Sequence, residues 1–415
     1  MRIKIKRREL LLYIILFFAV FHDICRIPSS SVTFFRLCTP LAIFAGFSYN
    51  FRRTLKYLIF FLLLIICNLI QAISFAKVNT IGIQVNASLF IKYAINYCSI
   101  FVVVIMVDTI YHLDRKNFLN NFRAFIKFLA WIILFFFFLH ALRQYYSILN
   151  SLSLANVNNY GAYCAAILPF FIYEAFLFQR KRAIIYCILT ILLSIANDCK
   201  LIFLGAAIEI VITYFCTRKQ RKGKFQLWPI CILPILTIMA IFFICDDSIT
   251  VMGYSFNGMV IQPVQRILKG QAFDISASSI SFRVNVFIIG IQWLAISRFM
   301  GIGMGNTGIL LKKVLLFKEN SAMDIMDVLS PHNTIVELLL EFGFIAAMLY
   351  LMVITKLIKF IKMPKRKQIH NIFLIEFLSV WLWVLAPSSI HTAYFIHIVW
   401  SYLFLCLSYD NSTNG

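Results

Sequence analysis

The run LKYLIFFLLLIICNLIQAISFA, Leu55 to Ala76, decides the class of fold, because it is long and apolar enough to cross a lipid bilayer. A transmembrane helix needs about 20 apolar residues, and this run carries one charged side chain, Lys56. Similar runs recur along the chain, in which hydrophobic residues make up 61% of the 415. They lack the period-two alternation of barrel strands, which favours helices. The sequence therefore predicts an all-α polytopic membrane protein.

The net charge of +22 is distributed as in a membrane protein rather than a nucleic-acid-binding protein. Basic residues form short clusters between apolar runs, such as Arg52-Arg53, Arg180–Arg182 and Lys356–Lys367. Clusters of this kind mark cytoplasmic connections. We therefore expect the lipid bilayer as a partner and no nucleic acid. The 11 cysteines have no metal-ligand spacing, and we expect them to fill the core.

We predict about twelve transmembrane helices in one integral membrane domain, residues 1–415. The positive-inside rule then places both termini in the cytoplasm and the longest connection, residues 247–332, on the outer side of the membrane. The apolar stretch Val284–Met300 of this external loop is expected to lie in the membrane interface, or to enter and return on the outer face. The predicted spans are 10–25, 32–47, 55–76, 89–113, 121–143, 160–178, 183–197, 200–216, 228–246, 333–355, 371–387 and 391–409.

Polar residues collect at the outer end of the tenth span. His332 and Asn333 open it, with Asn333 or Ser330 as the helix cap, and Glu337 and Glu341 follow on one helical face. A glutamate in the bilayer is expected to face a polar cavity, because exposure to lipid is unfavourable by roughly 2–3 kcal/mol. We therefore predict a polar cleft, open to the outside, that the two glutamates line or buttress.

Other polar residues at outer positions have two readings each. Arg143 ends the fifth span and Lys200 lies in the turn after the seventh, where both could bind substrate or anchor the chain by snorkelling. Asn159 suits either a substrate site or a helix cap. His391 is expected to be an interface residue, and Asp246-Asp247 to be solvated. We expect neither a metal site nor a cofactor.

An outward cleft with cations and a histidine suits an anionic substrate that is held in the membrane. Cations can hold a diphosphate through charge-assisted hydrogen bonds. In glycosyl transfer from a polyprenyl-diphosphate sugar, they stabilise the negative charge that develops on the leaving group. His332, titrating near neutrality, can take the proton from an acceptor hydroxyl.

Four motifs in order resemble the O-antigen ligase/polymerase superfamily. His332-Asn333, nine residues and then Gly343-x-x-Ala346 resembles its His-Asn and Gly-x-x-Gly pattern, with alanine in place of the last glycine. The other three motifs are Asn158-Asn159-x-x-Ala162, then Asn197–Lys200 with a following Leu-x-x-Leu-Gly, and then Arg283, Trp293 and Gly301-x-Gly303-x-Gly305. The resemblance covers roughly residues 140–355.

The resemblance implies a metal-independent, C-type membrane glycosyltransferase whose donor is an undecaprenyl-diphosphate-linked oligosaccharide. It implies that Arg283, together with Lys200 or Arg143, binds the diphosphate and that His332 assists the acceptor. Lys200 replaces an arginine of the superfamily, which exchanges a bidentate fork for a point charge. The predicted catalytic residues are His332 and Arg283, and the predicted substrate-binding residues are Arg143, Asn159, Lys200, Asn333, Glu337 and Glu341.

Within this class we favour a repeat-unit polymerase for capsule or O-antigen glycans, with a ligase that moves finished polymer to a lipid A core or another acceptor as the alternative. A chain-length regulator and a flippase are further expected partners. A flippase or transporter would show inverted repeats and charge near the bilayer midplane, whereas this chain collects polar groups at outer ends. A membrane protein without activity would leave the outer cations unexplained.

Overall fold

The computed structural model describes residues 7–22, 24–25, 33–78, 82–143, 146, 157–197, 199, 209–210, 213, 279–316, 333–362 and 393–412. Within these residues the regular structure is helical, without a strand, which confirms the predicted all-α class. The helices are α1 Arg7–Val20, α2 Phe34–Val78, α3 Ala87–Leu113, α4 Phe118–Arg143, α5 Val157–Phe178, α6 Lys181–Ala196, α7 Ser279–Ile296, α8 Asn306–Leu316, α9 Thr334–Phe342, α10 Phe344–Lys362 and α11 Tyr394–Ser412.

Three of the described helices are long and apolar enough to cross a membrane, namely α2, α3 and α4. Shorter apolar segments lie at Glu9–Val20, Val286–Ile296 and Tyr394–Leu405. These helices fit a helical membrane protein, while the number of twelve spans stays a prediction. The predicted spans 228–246 and 371–387 lie outside the described residues, as does most of 200–216.

Helix α2 covers two of the predicted spans, 32–47 and 55–76, and its backbone leaves the helical conformation at Asn50 (φ −151°, ψ 64°). A polar network joins this break to α3. The Asn50 amide donates a hydrogen bond to Asp108 Oδ2 over 3.3 Å, and Arg53 Nη1 lies 3.1 Å from Asp108 Oδ1. The buried Asp108 carboxylate therefore ties the break residue Asn50 and the following turn of α2 to one point of α3.

The predicted span 333–355 is two helices rather than one, because α9 ends at Gly343 and α10 begins at Phe344. Gly343 has φ +55° and ψ −130°, a backbone conformation that residues other than glycine rarely adopt. A Cβ at this position would lie 2.3 Å from the carbonyl oxygen of Phe299. Glycine thus permits both the change of direction and a close approach of the Phe299 turn.

The chain forms two compact units. The first comprises Met1–Leu64, Ile95–Lys224 and Pro364–Gly415. In it α4, α5 and α6 pack together, and α11 packs against α1, α4 and α5. Its core includes Phe122 and Tyr402, whose rings stack with centroids 5.5 Å apart. The second comprises Ile65–Ala94 and Phe225–Met363, and in it α9 packs against α7, α8 and α10.

Candidate functional site

The candidate site is built around α9 in the second unit. Asn333 is the N-cap of this helix, and its side chain accepts a hydrogen bond from the N–H of Val336 over 3.2 Å. This satisfies one of the amide donors that a helix start leaves open, and it confirms Asn333 as the cap. Glu337 and Glu341 follow at intervals of four residues, and both are buried. His332, directly before the cap, lies outside the described residues.

Glu341 holds a glycine-rich loop against the C-terminal end of α9. Its carboxylate Oε1 accepts a hydrogen bond from the N–H of Gly305 over 2.9 Å, and its carbonyl oxygen accepts one from the N–H of Gly303 over 3.2 Å. The neighbouring Leu340 carbonyl accepts from the N–H of Ile302 over 2.7 Å. Since Glu341 is 0% exposed, these contacts form in a setting where an unsatisfied polar group is costly. Glu341 therefore binds the loop through both its side chain and its backbone.

Two amide side chains of α2 complete this attachment, and the sequence analysis missed both. Asn68 Oδ1 accepts a hydrogen bond from the N–H of Met304 over 2.6 Å, while its Nδ2 donates to the Glu341 carbonyl over 2.8 Å. Gln71 Nε2 donates to the Phe342 carbonyl over 3.3 Å. Their signal in the sequence was two amides, three residues apart, in a predicted membrane span, where a polar side chain usually has a partner on another helix.

The glycine-rich loop, Gly301 to Gly305, has no room for side chains at the points where it touches its neighbours. Gly303 has φ +91°, and a Cβ there would lie 2.3 Å from the Cβ of Ala72 in α2. A Cβ at Gly301 would lie 2.8 Å from the backbone nitrogen of Gly343. The loop is consequently a packed connection between α7 and α8, wedged between α2 and the end of α9.

Helices α7 and α9 run in the same direction. Gly290 of α7 faces Val336 of α9, because a Cβ at Gly290 would lie 2.3 Å from Val336 Cγ1. Nine residues further along, the carbonyl of Phe299 accepts a hydrogen bond from the N–H of Phe344 over 2.7 Å. The later residue of one segment therefore contacts the later residue of the other, as in a parallel pair. The N-terminal ends of α7 and α9 consequently lie at the same end of the pair.

This direction decides where the predicted residues lie along the pair. The backbone of Arg283 is in the second turn of α7, seven residues before Gly290, or about 10 Å at 1.5 Å per residue. Asn333 is three residues before Val336, or about 5 Å. Arg283 and Asn333 therefore occupy the same end of two parallel helices, and Glu337 follows one turn below Asn333.

The remaining predicted residues fall elsewhere. Arg143 is the last residue of α4 and Asn159 is buried in the first turn of α5, both in the first unit. Lys200 and His391 lie outside the described residues, as do Asp246 and Asp247. The described structure thus puts the backbone of Arg283 at the same end of the helix pair as Asn333, and the roles of all the predicted site residues stay predictions.

A protein-family model matches part of the chain, including the helices of this site. Residues 183–351 match the O-antigen ligase family. The match confirms the resemblance to the O-antigen ligase/polymerase superfamily. The region matched to the O-antigen ligase family contains α7, the glycine-rich loop, α8 and α9, with Arg283, Asn333, Glu337 and Glu341. No curated protein and no solved structure matches the chain.

The family match supports a general O-antigen ligase or polymerase type of activity, with a glycosyltransferase-like enzyme acting on lipid-linked glycans in a membrane. Arg143 and Asn159 lie before the matched region, whereas Lys200 lies inside it. The matched region therefore contains three of the four predicted motifs, those that begin at Asn197, Arg283 and His332.

Proposed function

We propose that the protein is a repeat-unit polymerase for capsule or O-antigen glycans on the outer face of the bacterial cytoplasmic membrane. In this reaction a glycan moves from an undecaprenyl-diphosphate carrier to a sugar hydroxyl of the acceptor chain. The observation that supports the proposal is the parallel course of α7 and α9, which puts the backbones of Arg283 and Asn333 at one end of the helix pair; His332 directly precedes Asn333 in the sequence. That juxtaposition is what a transfer between a diphosphate donor and a hydroxyl acceptor requires.

The proposed reaction breaks the bond between the anomeric carbon and the diphosphate oxygen, and it forms a bond from that carbon to the acceptor oxygen. Negative charge develops on the leaving diphosphate, and Arg283 stabilises it through paired hydrogen bonds. His332 takes the proton of the acceptor hydroxyl as the new bond forms. Arg143 and Lys200 are proposed to bind further phosphate or glycan oxygens, and Asn159 to bind the glycan. No metal ion enters this scheme.

Buried acidic residues are proposed to position these groups rather than to react. Glu341 holds Gly305 and thereby the connection that follows α7. Glu337 lies on the same helix one turn after the cap, where a buried carboxylate can orient a neighbouring donor. In this account Asn333 fixes the start of α9, so that the residue before it is presented at the helix end.

The proposed setting is a single integral membrane domain with about twelve spans, C-type glycosyltransferase architecture, cytoplasmic termini and residues 247–332 outside. Carrier-linked glycan would then reach the site from the outer leaflet after a flippase has delivered it. A chain-length regulator would act on the product.

The alternative is a ligase that transfers finished polymer to a lipid A core or another acceptor, and the O-antigen ligase description of the family match favours considering it. Ala346, where the superfamily motif has glycine, favours the polymerase. Glycans from a strain that lacks the protein separate the two. Surface material reduced to a single repeat identifies a polymerase, whereas long polymer retained on the undecaprenyl carrier identifies a ligase.

A further inference from the structure

Three cations surround one buried carboxylate in the first unit, toward the end of α4 that is opposite to Arg143. Arg123 Nη2 lies 3.2 Å and Arg180 Nη1 3.4 Å from Glu174 Oε1, and Lys127 Nζ contacts the same oxygen. Arg123 and Lys127 belong to α4, Glu174 to α5, and Arg180 precedes α6. The group carries three positive charges against one negative charge, a local excess of two.

Glu174 cannot satisfy the donors that face it. The two oxygens of a carboxylate offer about four acceptor sites, while two guanidinium groups and one ammonium group offer about thirteen N–H donors. The Nε and Nη2 atoms of Arg123 are buried without a hydrogen-bond partner, even though Nη2 is within ion-pair distance of Glu174. The cluster therefore retains both charge and hydrogen-bonding capacity for an anion.

The cluster is accessible from outside the chain. The Arg180 side chain is 60% exposed, and those of Arg123 and Lys127 remain about one-fifth exposed. Phe178, which is also exposed, lies under Arg180, whose guanidinium carbon is 5.4 Å from the ring centroid. An anion can thus approach Arg180 beside an aromatic side chain.

An apolar stripe begins directly after the cluster. The exposed large apolar residues of α6 follow helical spacing, which places them on one face of the helix; they are Ile185, Ile188, Leu189, Leu192 and Ile195. The opposite face, with Tyr186 and Thr190, is buried. A ligand with an anionic head and long hydrocarbon chains would match both the cations and the stripe.

We propose that Arg123, Lys127 and Arg180 bind the phosphate group of an anionic phospholipid whose acyl chains lie along the exposed face of α6. The connection Gln179–Arg180 belongs to the predicted cytoplasmic side, where anionic lipids attract basic residues next to membrane helices. The headgroup would supply the negative charge and the acceptor oxygens that Glu174 alone does not provide. This site is separate from the proposed reaction and does not depend on it.

The test is native mass spectrometry of the detergent-purified full chain, titrated with phosphatidylglycerol. We expect Arg180→Gln to weaken phosphatidylglycerol binding about fivefold, because the attraction of one basic residue to an anionic lipid surface changes the dissociation constant by about that factor. Arg182→Gln is the matched control, because it removes the same charge from an exposed position two residues away. Its affinity should stay within about twofold of the wild type. The proposal would be overturned if both variants lost phosphatidylglycerol affinity equally. It would also be overturned if the wild type bound phosphatidylcholine as tightly as phosphatidylglycerol.

A second variant distinguishes a lipid-binding cluster from ion pairs that only stabilise the fold. Glu174→Gln raises the local excess of positive charge, so phosphatidylglycerol should bind at least as tightly and should raise the melting temperature more than in the wild type. Failure of phosphatidylglycerol to stabilise this variant would refute a lipid site. Full protection by inorganic phosphate alone would also refute it, because it would indicate a site for small anions.

Discussion

The carboxylate of Glu341 accepts a hydrogen bond from the backbone N–H of Gly305 over 2.9 Å. This bond joins the C-terminal end of α9 to the connection that leads from α7 into α8. The same residue's carbonyl accepts from Asn68 and Gly303, so three segments of the second unit meet at one buried glutamate. The glutamate therefore acts as a structural joint between the helix that begins at Asn333 and the helix that carries Arg283.

Replacing Glu341 should separate a structural role from a chemical one. Glu341→Gln keeps an oxygen that can accept from Gly305, whereas Glu341→Ala leaves that buried N–H without a partner, at a cost of about 1–3 kcal/mol. We expect Glu341→Gln to retain most of the activity and to have nearly the wild-type melting temperature in detergent. We expect Glu341→Ala to lose activity and to have a lower melting temperature. A stable but inactive Glu341→Gln variant would show instead that the ionised carboxylate takes part in the reaction.

Asn68 should matter for stability although it lies in an apolar helix. Asn68→Leu removes the acceptor of the Met304 N–H and the donor to the Glu341 carbonyl, so we expect a loss of about 1–3 kcal/mol. Thermal unfolding in detergent measures this loss. Cys67→Leu is the control. Cys67 is adjacent to Asn68 in the sequence and its side chain is exposed, so this substitution should change the melting temperature little. Equal effects of the two substitutions would contradict the role of Asn68.

Gly303 should tolerate no side chain. In Gly303→Ala the new methyl group would lie 2.3 Å from Ala72 Cβ, and φ is +91°, so both steric overlap and backbone strain act. Gly82→Ala provides the matched control, because Gly82 also has a positive φ of 67° but its nearest neighbour, Lys313 Nζ, would be 3.8 Å from the methyl group.

We expect Gly303→Ala to reduce the yield of folded protein in size-exclusion chromatography much more than Gly82→Ala does. Adding Ala72→Gly to Gly303→Ala should restore part of the loss, because it removes Ala72 Cβ, the nearer of the two colliding atoms, and leaves Cα at 2.8 Å. Equal behaviour of the two glycine variants would mean that strain alone, and not the approach of α2, governs this loop.

The sequence predicted the parts of this site that depend on local pattern. The spacing of Asn333, Glu337 and Glu341 predicted a capped helix with its acidic residues on one face, and the structure confirms the cap. Both glutamates are buried, and the polar cleft that they were expected to line or buttress stays a prediction. The break at Gly343 was missed, because an apolar run on both sides of a glycine reads as one span. Its cause is the turn at Phe299, which is more than forty residues away in sequence.

The partners of Glu341 could not be predicted for a similar reason. Asn68 is 273 residues from Glu341, and no periodicity in either segment links them. The two amides of α2 show that a partner exists, but not which helix supplies it. The parallel course of α7 and α9 likewise follows from packing at Gly290 and Val336, which only the folded chain displays.

The most direct test of the central claim is glycan transfer by the purified protein reconstituted with its undecaprenyl-diphosphate-linked repeat unit. Wild type and the control Lys312→Gln, which removes a cation from α8, should both form products. Arg283→Gln and His332→Gln should each lower the rate by at least about 100-fold, the scale of losing a charge-stabilising donor or a general base, while all four proteins insert and elute alike. Product formation at wild-type rate by either Arg283→Gln or His332→Gln would contradict the claim that these two residues carry the reaction.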